Sequence, residues 1–289
     1  MKIGLIGCGN MGGGMAAQLL ANGRDLTCYD PDPATQARMQ TLGATVVKTP
    51  AELARAVQVL ILSLPKAAIV TAVMEQIASD FQGGAIVLDT STSEPATSQA
   101  MAATGQQHGF AFVDGPVSGG PAAANAGTMT MLLGGDAQAI EQLRPVLDII
   151  TAKTVIVGGS GAGHAAKIAN NMLCAANLIL VGEAVRLGQA AGVDPEDLLE
   201  GINAGSGRSG VSEVNFPKWV LNGGFDSGFT MGLMRKDVGL ALDLAKGSGV
   251  DVSGFASIAD IWLNRSGNIP DTADFNEIVK HTGVESDDV

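Results

Sequence analysis

A glycine turn set directly behind a short apolar run restricts this chain more than any other feature. Lys2-Ile-Gly-Leu-Ile6 leads into Gly7-Cys8-Gly9-Asn10-Met11-Gly12, and a helical pattern from Met11 to Leu20 follows. Strand, glycines and helix in that order form the context a dinucleotide fingerprint requires. Gly7 permits the tight turn, Gly9 lets the backbone approach a pyrophosphate, and Gly12 lets the helix pack closely on the strand. The helix N-terminus adds N–H donors and a positive dipole. Asp30 ends the second apolar run, 21 residues after Gly9. A carboxylate there accepts hydrogen bonds from ribose hydroxyls and repels a 2′-phosphate. Pro31-Asp32-Pro33 follows with no basic residue, so the expected cofactor is NAD rather than NADP. The bland alternative is a structural glycine turn with Asp30 as a helix N-cap.

Up to about residue 159, short apolar runs at 3–6, 26–29, 57–62, 85–88, 111–113, 130–133 and 155–157 alternate with helical stretches. That alternation predicts βαβ units around a mostly parallel sheet. From Gly161 onward only helical periodicity is found, at about 162–191, 195–204, 211–221, 232–247 and 257–264. The expected fold is therefore α/β: a Rossmann-type dinucleotide-binding domain over residues 1–160, then an all-helical domain over 161–289 for substrate binding and oligomerisation. A first helix of about 30 residues spans ~45 Å, enough to leave one domain and build the next. Residues 285–289 hold three acidic residues and are expected to fray.

Charge and composition exclude several classes. Seventeen Lys+Arg against 29 Asp+Glu give a net charge of −12, which repels nucleic acid and anionic lipid. The most apolar stretch, 168–182, is broken by Asn170, Asn171 and Asn177, so no membrane span is expected. Met1 leads at once into a strand-like run, and no export signal is expected. Three cysteines, Cys8, Cys28 and Cys174, form no metal or disulfide pattern, and a reducing cytoplasm and a metal-free site are expected.

Between Thr154 and Val181 the only side chain charged at neutral pH is Lys167. A lone Lys on an apolar helix must snorkel, find a partner, or sit buried with a depressed pKa suited to proton transfer. Asn171 lies four residues on, so both project from one helical face. His164, one turn before Lys167, is a rival acid/base or a packed residue. Asp114-Gly-Pro-Val-Ser118-Gly119-Gly120-Pro121 is a second glycine cluster at a strand end, either a turn or a carboxylate site built from N–H groups and the Ser118 hydroxyl. Leu64-Pro65 closes another apolar run and reads, by itself, as a turn.

With these residues in hand, nearly the whole chain resembles the β-hydroxyacid dehydrogenase family, including 3-hydroxyisobutyrate dehydrogenases. The resemblance rests on the glycine signature through Asn10, Met11 and Gly12, Leu64-Pro65, Asp89-Thr-Ser-Thr92, and Asp114-Gly-Pro-Val-Ser-Gly-Gly120. It continues through Gly161-Ala-Gly-His-Ala-Ala-Lys167-Ile-Ala-Asn-Asn171 and Lys236-Asp237-Val-Gly-Leu-Ala241. It implies that Lys167 is the acid/base, that Ser118, Gly119, Gly120 and Asn171 hold the substrate, and that Leu64, Pro65, Thr92 and Lys236 meet the cofactor. The implied reaction interconverts a small β-hydroxyacid and its semialdehyde or keto form, in a homodimer or homotetramer. A short aldehyde-acid reductase, a β-hydroxy amino acid dehydrogenase and a catalytically silent dinucleotide-binding module are the alternatives. Two departures stand out: Gly115 replaces the family's usual Ala, and Gly205-Ser-Gly-Arg208-Ser209 is followed by Gly210-Val211 where aromatics are common. Arg208 is either a surface residue or a partner for a substrate acid group.

Overall fold

The computed structural model describes residues 1–281, in two compact units, Met1–Lys167 and a second that begins at Ile168. The expected fraying of 285–289 lies outside the described residues.

In the first unit, β1 (Ile3–Ile6), α1 (Asn10–Ala21), β2 (Leu26–Tyr29), α2 (Pro33–Thr41), β3 (Thr45–Val46), α3 (Pro50–Ala56), β4 (Val59–Leu62), α4 (Ala67–Ile77) and β5 (Ala85–Asp89) follow one another. Then come α5 (Pro95–His108), β6 (Phe110–Asp114), β7 (Val117–Ser118), α6 (Gly120–Ala126), β8 (Met129–Gly134), α7 (Ala137–Gln142), α8 (Arg144–Ile150) and β9 (Thr151–Gly158). The sheet order is β3-β2-β1-β4-β5-β6-β8-β7, with β9 paired to β8. The strands from β3 to β6 are parallel, whereas β8 runs antiparallel to β6 and β7. Strand order reverses between β1 and β4, and ligands of such sheets bind at the carboxyl ends around that point.

Strands β1, β4 and β5 are buried at every residue because helices cover both faces of the sheet. Ile3, Leu5, Val59, Ile61, Ile86 and Leu88 pack on one side with Met15 and Leu19. Leu60, Leu62 and Val87 pack on the other with Leu53, Val70, Met74 and Met101. Each such side chain contributes about 1.5–3 kcal/mol. The apolar run at 57–62 was expected to be one strand, but β4 begins at Val59, and Val57 ends α3 and packs with Leu53 and Ala54. Strands β3 and β7, two residues each, are too short to carry a period and were not expected.

The second unit is built on α9 (Ala162–Ala190), which starts in the first unit, with α10 (Pro195–Ala204), α11 (Met231–Ser248) and α12 (Ser253–Asp260). Residues Val211–Val220 form a wide π-helix, closed by the Leu221 N–H on the Phe216 carbonyl. Pro217 lies inside it, and five-residue hydrogen bonding accommodates the missing N–H. A second π-turn, Ile261–Arg265, continues α12, so the helix expected at 257–264 begins earlier, at Ser253. A 3-10 turn, Phe275–Lys280, had no sequence expectation. Trp262 is fully buried and donates its indole N–H to the Ala175 carbonyl at 3.2 Å. Arg235 ties the carbonyls of Trp262, Ser266 and Ile269 together where the π-turn ends.

The expectation that no stretch has the dimensions of a membrane span needs correction. Helix α9 is long and apolar enough to cross one by length and composition, because its Leu, Ile and Val residues outweigh the three asparagines. Two of its polar residues are nonetheless engaged by protein: Lys167 donates to Ser118 and Asn171 to Asp237.

Candidate functional site

The glycine turn is enforced by contact. Gly7 has φ +87°, and a Cβ on Gly12 would stand 1.9 Å from the Gly7 carbonyl oxygen, so helix and turn touch backbone to backbone. A Cβ on Gly9 would meet nothing within 4 Å and points into open space. Gly9 caps α1 with no side-chain hydrogen bond, which leaves the first-turn N–H groups, including those of Asn10 and Met11, uncovered by side chains. An open glycine at an uncapped helix start is a cradle that fits a dinucleotide pyrophosphate.

Asp30 sits beside this turn. Its Oδ2 accepts the Cys8 N–H at 2.7 Å and its Oδ1 accepts the Asp32 N–H at 2.9 Å. The cap of α2 is Asp32, not Asp30, and the Thr35 hydroxyl holds the Asp32 carboxyl below the usual carboxylate range, aided by the Thr35 and Ala34 N–H groups. No basic residue stands at positions 31–33, yet the fold brings one to the glycine loop. Arg38, from the last turn of α2, donates to the Cys8 carbonyl. Its distance along the chain hid it from the motif, since a helix turn brings it back onto the glycine loop.

The loops at the carboxyl ends of β4 and β5 interlock. The Leu64 N–H donates to Ser91 Oγ at 3.0 Å, and the Thr90 hydroxyl donates to the Leu62 carbonyl at 2.7 Å. Leu64 packs partly on the core, whereas Pro65 is exposed and Thr92 half-buried. Asp89 points inward and is fully buried. Its Oδ1 accepts the Ser91 N–H, its Oδ2 lies 4.0 Å from His164 Nε2, and burial pushes its carboxyl up.

Strand β7 ends at Ser118, and Gly119 and Gly120 follow with φ of +121° and +65°. Lys167, buried in the first turns of α9, donates from Nζ to Ser118 Oγ at 2.9 Å. Thus the candidate acid/base and the candidate substrate turn meet inside the first unit. The start of α9 is held by Asp114, whose carboxylate accepts the N–H groups of Gly161 at 2.7 Å and His164 at 3.1 Å. Gly115 fits a tight place, since a Cβ there would come within 2.9 Å of both Leu88 Cδ1 and Met131 Sδ.

In the second unit, Asn171 Nδ2 donates to Asp237 Oδ2 at 2.5 Å, and Lys236 Nζ lies 3.3 Å from Asp237 Oδ1. The nearly buried Asp237 therefore orients both neighbours. Sequence reading overlooked it because an acid beside a Lys on a helix looks like a solvated pair. Arg208 is 64% exposed and 3.7 Å from Glu213, as a surface residue would be. Among the described residues no group of His, Cys, Asp and Glu is placed to hold a metal.

Fold and glycine turn together define a nicotinamide-dinucleotide-dependent oxidoreductase. Residues 2–159 match the family model described as the NAD binding domain of 6-phosphogluconate dehydrogenase, and 161–282 match that described as NAD-binding of NADP-dependent 3-hydroxyisobutyrate dehydrogenase. The chain is 37% identical to 2-(hydroxymethyl)glutarate dehydrogenase of Eubacterium barkeri, over 91% of this chain and 88% of that one. It is 36% identical to human mitochondrial 3-hydroxyisobutyrate dehydrogenase, over 84% and 75%. The solved Mycobacterium tuberculosis 3-hydroxyisobutyrate dehydrogenase with L-serine aligns at a TM-score of 0.90 with 29% identity, covering 96% of this chain and 98% of that one. The chain belongs to the β-hydroxyacid dehydrogenase family.

Proposed function

We propose that this protein uses NAD to interconvert a small β-hydroxyacid of the 3-hydroxyisobutyrate type and its semialdehyde or keto form. The observation that carries this reading is the 2.9 Å hydrogen bond from Lys167 Nζ to Ser118 Oγ, which joins a buried amine to the glycine turn at the end of β7. The cofactor supplies, when bound, a hydride acceptor or donor. Gly7, Gly9, Asn10, Met11, Gly12 and Asp30 hold its adenosine and pyrophosphate; Leu64, Pro65, Thr92 and Lys236 meet the rest. Ser118, Gly119 and Gly120 hold the substrate carboxylate, and Asn171, oriented by Asp237, steadies the hydroxyl. In oxidation the neutral amine of Lys167 takes the hydroxyl proton; in reduction its ammonium returns that proton to the carbonyl oxygen.

Residues 1–160 form the dinucleotide-binding domain, which also contributes Ser118, Gly119 and Gly120, and 161–289 form the helical domain of substrate binding and self-assembly, which also contributes Lys236; the two family matches, over 2–159 and 161–282, divide the chain at nearly the same point. The assembly is a homodimer or homotetramer, in a reducing cytoplasm where Cys8, Cys28 and Cys174 stay unbonded. A second reading, a dehydrogenase of β-hydroxy amino acids, draws support from the relative solved with L-serine. The test is NADH formation with 3-hydroxyisobutyrate, 2-(hydroxymethyl)glutarate and L-serine. The first is expected to give the highest kcat/KM; preference for L-serine replaces the first reading with the second, and no turnover of any removes both.

A further inference from the structure

Buried groups that proton transfer at Lys167 does not use converge on one ring. His164 is fully buried, three residues before Lys167 in the first turn of α9. Its Nε2 faces the Ser91 carbonyl at 2.9 Å, and a carbonyl only accepts, so that nitrogen carries the hydrogen. Its Nδ1 stands 2.8 Å from Ser98 Oγ on α5, a hydroxyl that can donate or accept there. With both nitrogens spoken for and no exposure, the ring is badly placed to shuttle a proton to substrate, which sets aside the rival acid/base role. Two acids face the residue: Asp89, with Oδ2 4.0 Å from Nε2, and Asp114, which accepts its backbone N–H.

Ser91 is the other half of the tie. It receives His164 at its carbonyl, accepts the Leu64 N–H at its hydroxyl, and donates its own N–H to Asp89. Thr92 is the next residue. We infer that His164 is a positioning residue that fastens the Leu64 and Thr92 loops to the helix turn bearing Lys167, keeping cofactor contacts and acid/base in register. Misplacing a reacting group by about 1 Å costs on the order of 100-fold in rate, which is what such a tie prevents.

This inference rests on the proposed roles of Thr92 and Lys167, and the experiment separates the two. His164→Gln keeps an N–H donor that reaches Ser91 and an acceptor beside it, but does not titrate. His164→Asn is too short to reach Ser91. NADH affinity, read by fluorescence without any hydroxyacid, is measured beside kcat and its pH profile. His164→Gln should hold kcat and NADH affinity within about threefold of the unmodified enzyme with an unchanged pH profile. His164→Asn should lower kcat at least about tenfold and weaken NADH binding, and Ser98→Ala should fall between. Unchanged kcat and NADH affinity in His164→Asn overturns the tie. Loss of the acidic limb of the pH profile in His164→Gln overturns it in favour of a titrating role. Should no hydroxyacid be turned over at all, the functional reading fails, while the NADH arm still decides whether His164 holds the loop.

Discussion

Lys167 carries the chemistry proposed here, and its substitutions separate a proton carrier from an electrostatic anchor. Lys167→Ala should lower kcat by about 10²–10⁴-fold while NAD binding stays nearly unchanged. Lys167→Arg should not rescue it, because a guanidinium with a pKa above ~12 does not give up its proton near neutrality; near-normal turnover in that variant, by steady-state assay, refutes the assignment. Cofactor choice should also turn on single residues. NAD should outperform NADP in kcat/KM, Asp30→Ala should narrow the gap, and Arg38→Ala should harm NADP more than NAD by removing a cation from the edge of the glycine loop. Equal efficiency of both cofactors in the unmodified enzyme contradicts the Asp30 argument. Lys167 and Asp30 were legible because an isolated charge on an apolar helix and an acid at a strand end stand out along the chain. Arg38, His164 and Asp237 were not, because what matters about each is a partner 30, 73 and 66 residues away.

Helix α9 depends on a device that its own sequence lacks. Asp114, a residue of β6 some 50 positions earlier, accepts the N–H groups of Gly161, just before the helix, and of His164 in its first turn. Asp114→Ala should leave two buried N–H groups without an acceptor, at about 1–3 kcal/mol each. For a chain of this size that lowers Tm by several degrees, about 2–4 °C per kcal/mol, and turnover should fall with it because Lys167 sits in the same helix start. A thermal melt superimposable on that of the unmodified protein refutes the role. The same dependence on distant partners explains which elements were foreseen. Strands β1, β2 and β5 and helix α10 carry their own apolar pattern and caps, and their starting residues were readable. The π-helix at Val211–Val220 reads as an ordinary helix because widening from four- to five-residue hydrogen bonding leaves little mark on the apolar period.

Assembly is a property of the whole molecule, and one face of α9 bears on it. Leu173, Leu180 and Leu187 are 60%, 51% and 74% exposed at seven-residue spacing, which aligns them along one side of the helix. Solvent disfavours such a stripe, and light scattering at micromolar concentration should find a dimer or tetramer. Leu180→Glu with Leu187→Glu should shift that mass toward the ~29 kDa monomer; a monomer before substitution removes the argument. What the amino-acid sequence determined alone is local: the glycine turn, the main strands and helices in order, the passage from a mostly parallel sheet to helices, and Lys167 as the one charge between Thr154 and Val181, all written in spacing and side-chain type within one or two turns of chain. The tertiary structure decided the rest. Asp114 took up the start of α9, Arg38 returned to the glycine loop, and His164 and Asp237 met buried partners, because hydrogen bonds in a buried interior are satisfied by whichever groups the fold brings together, and no period along the chain records that distance.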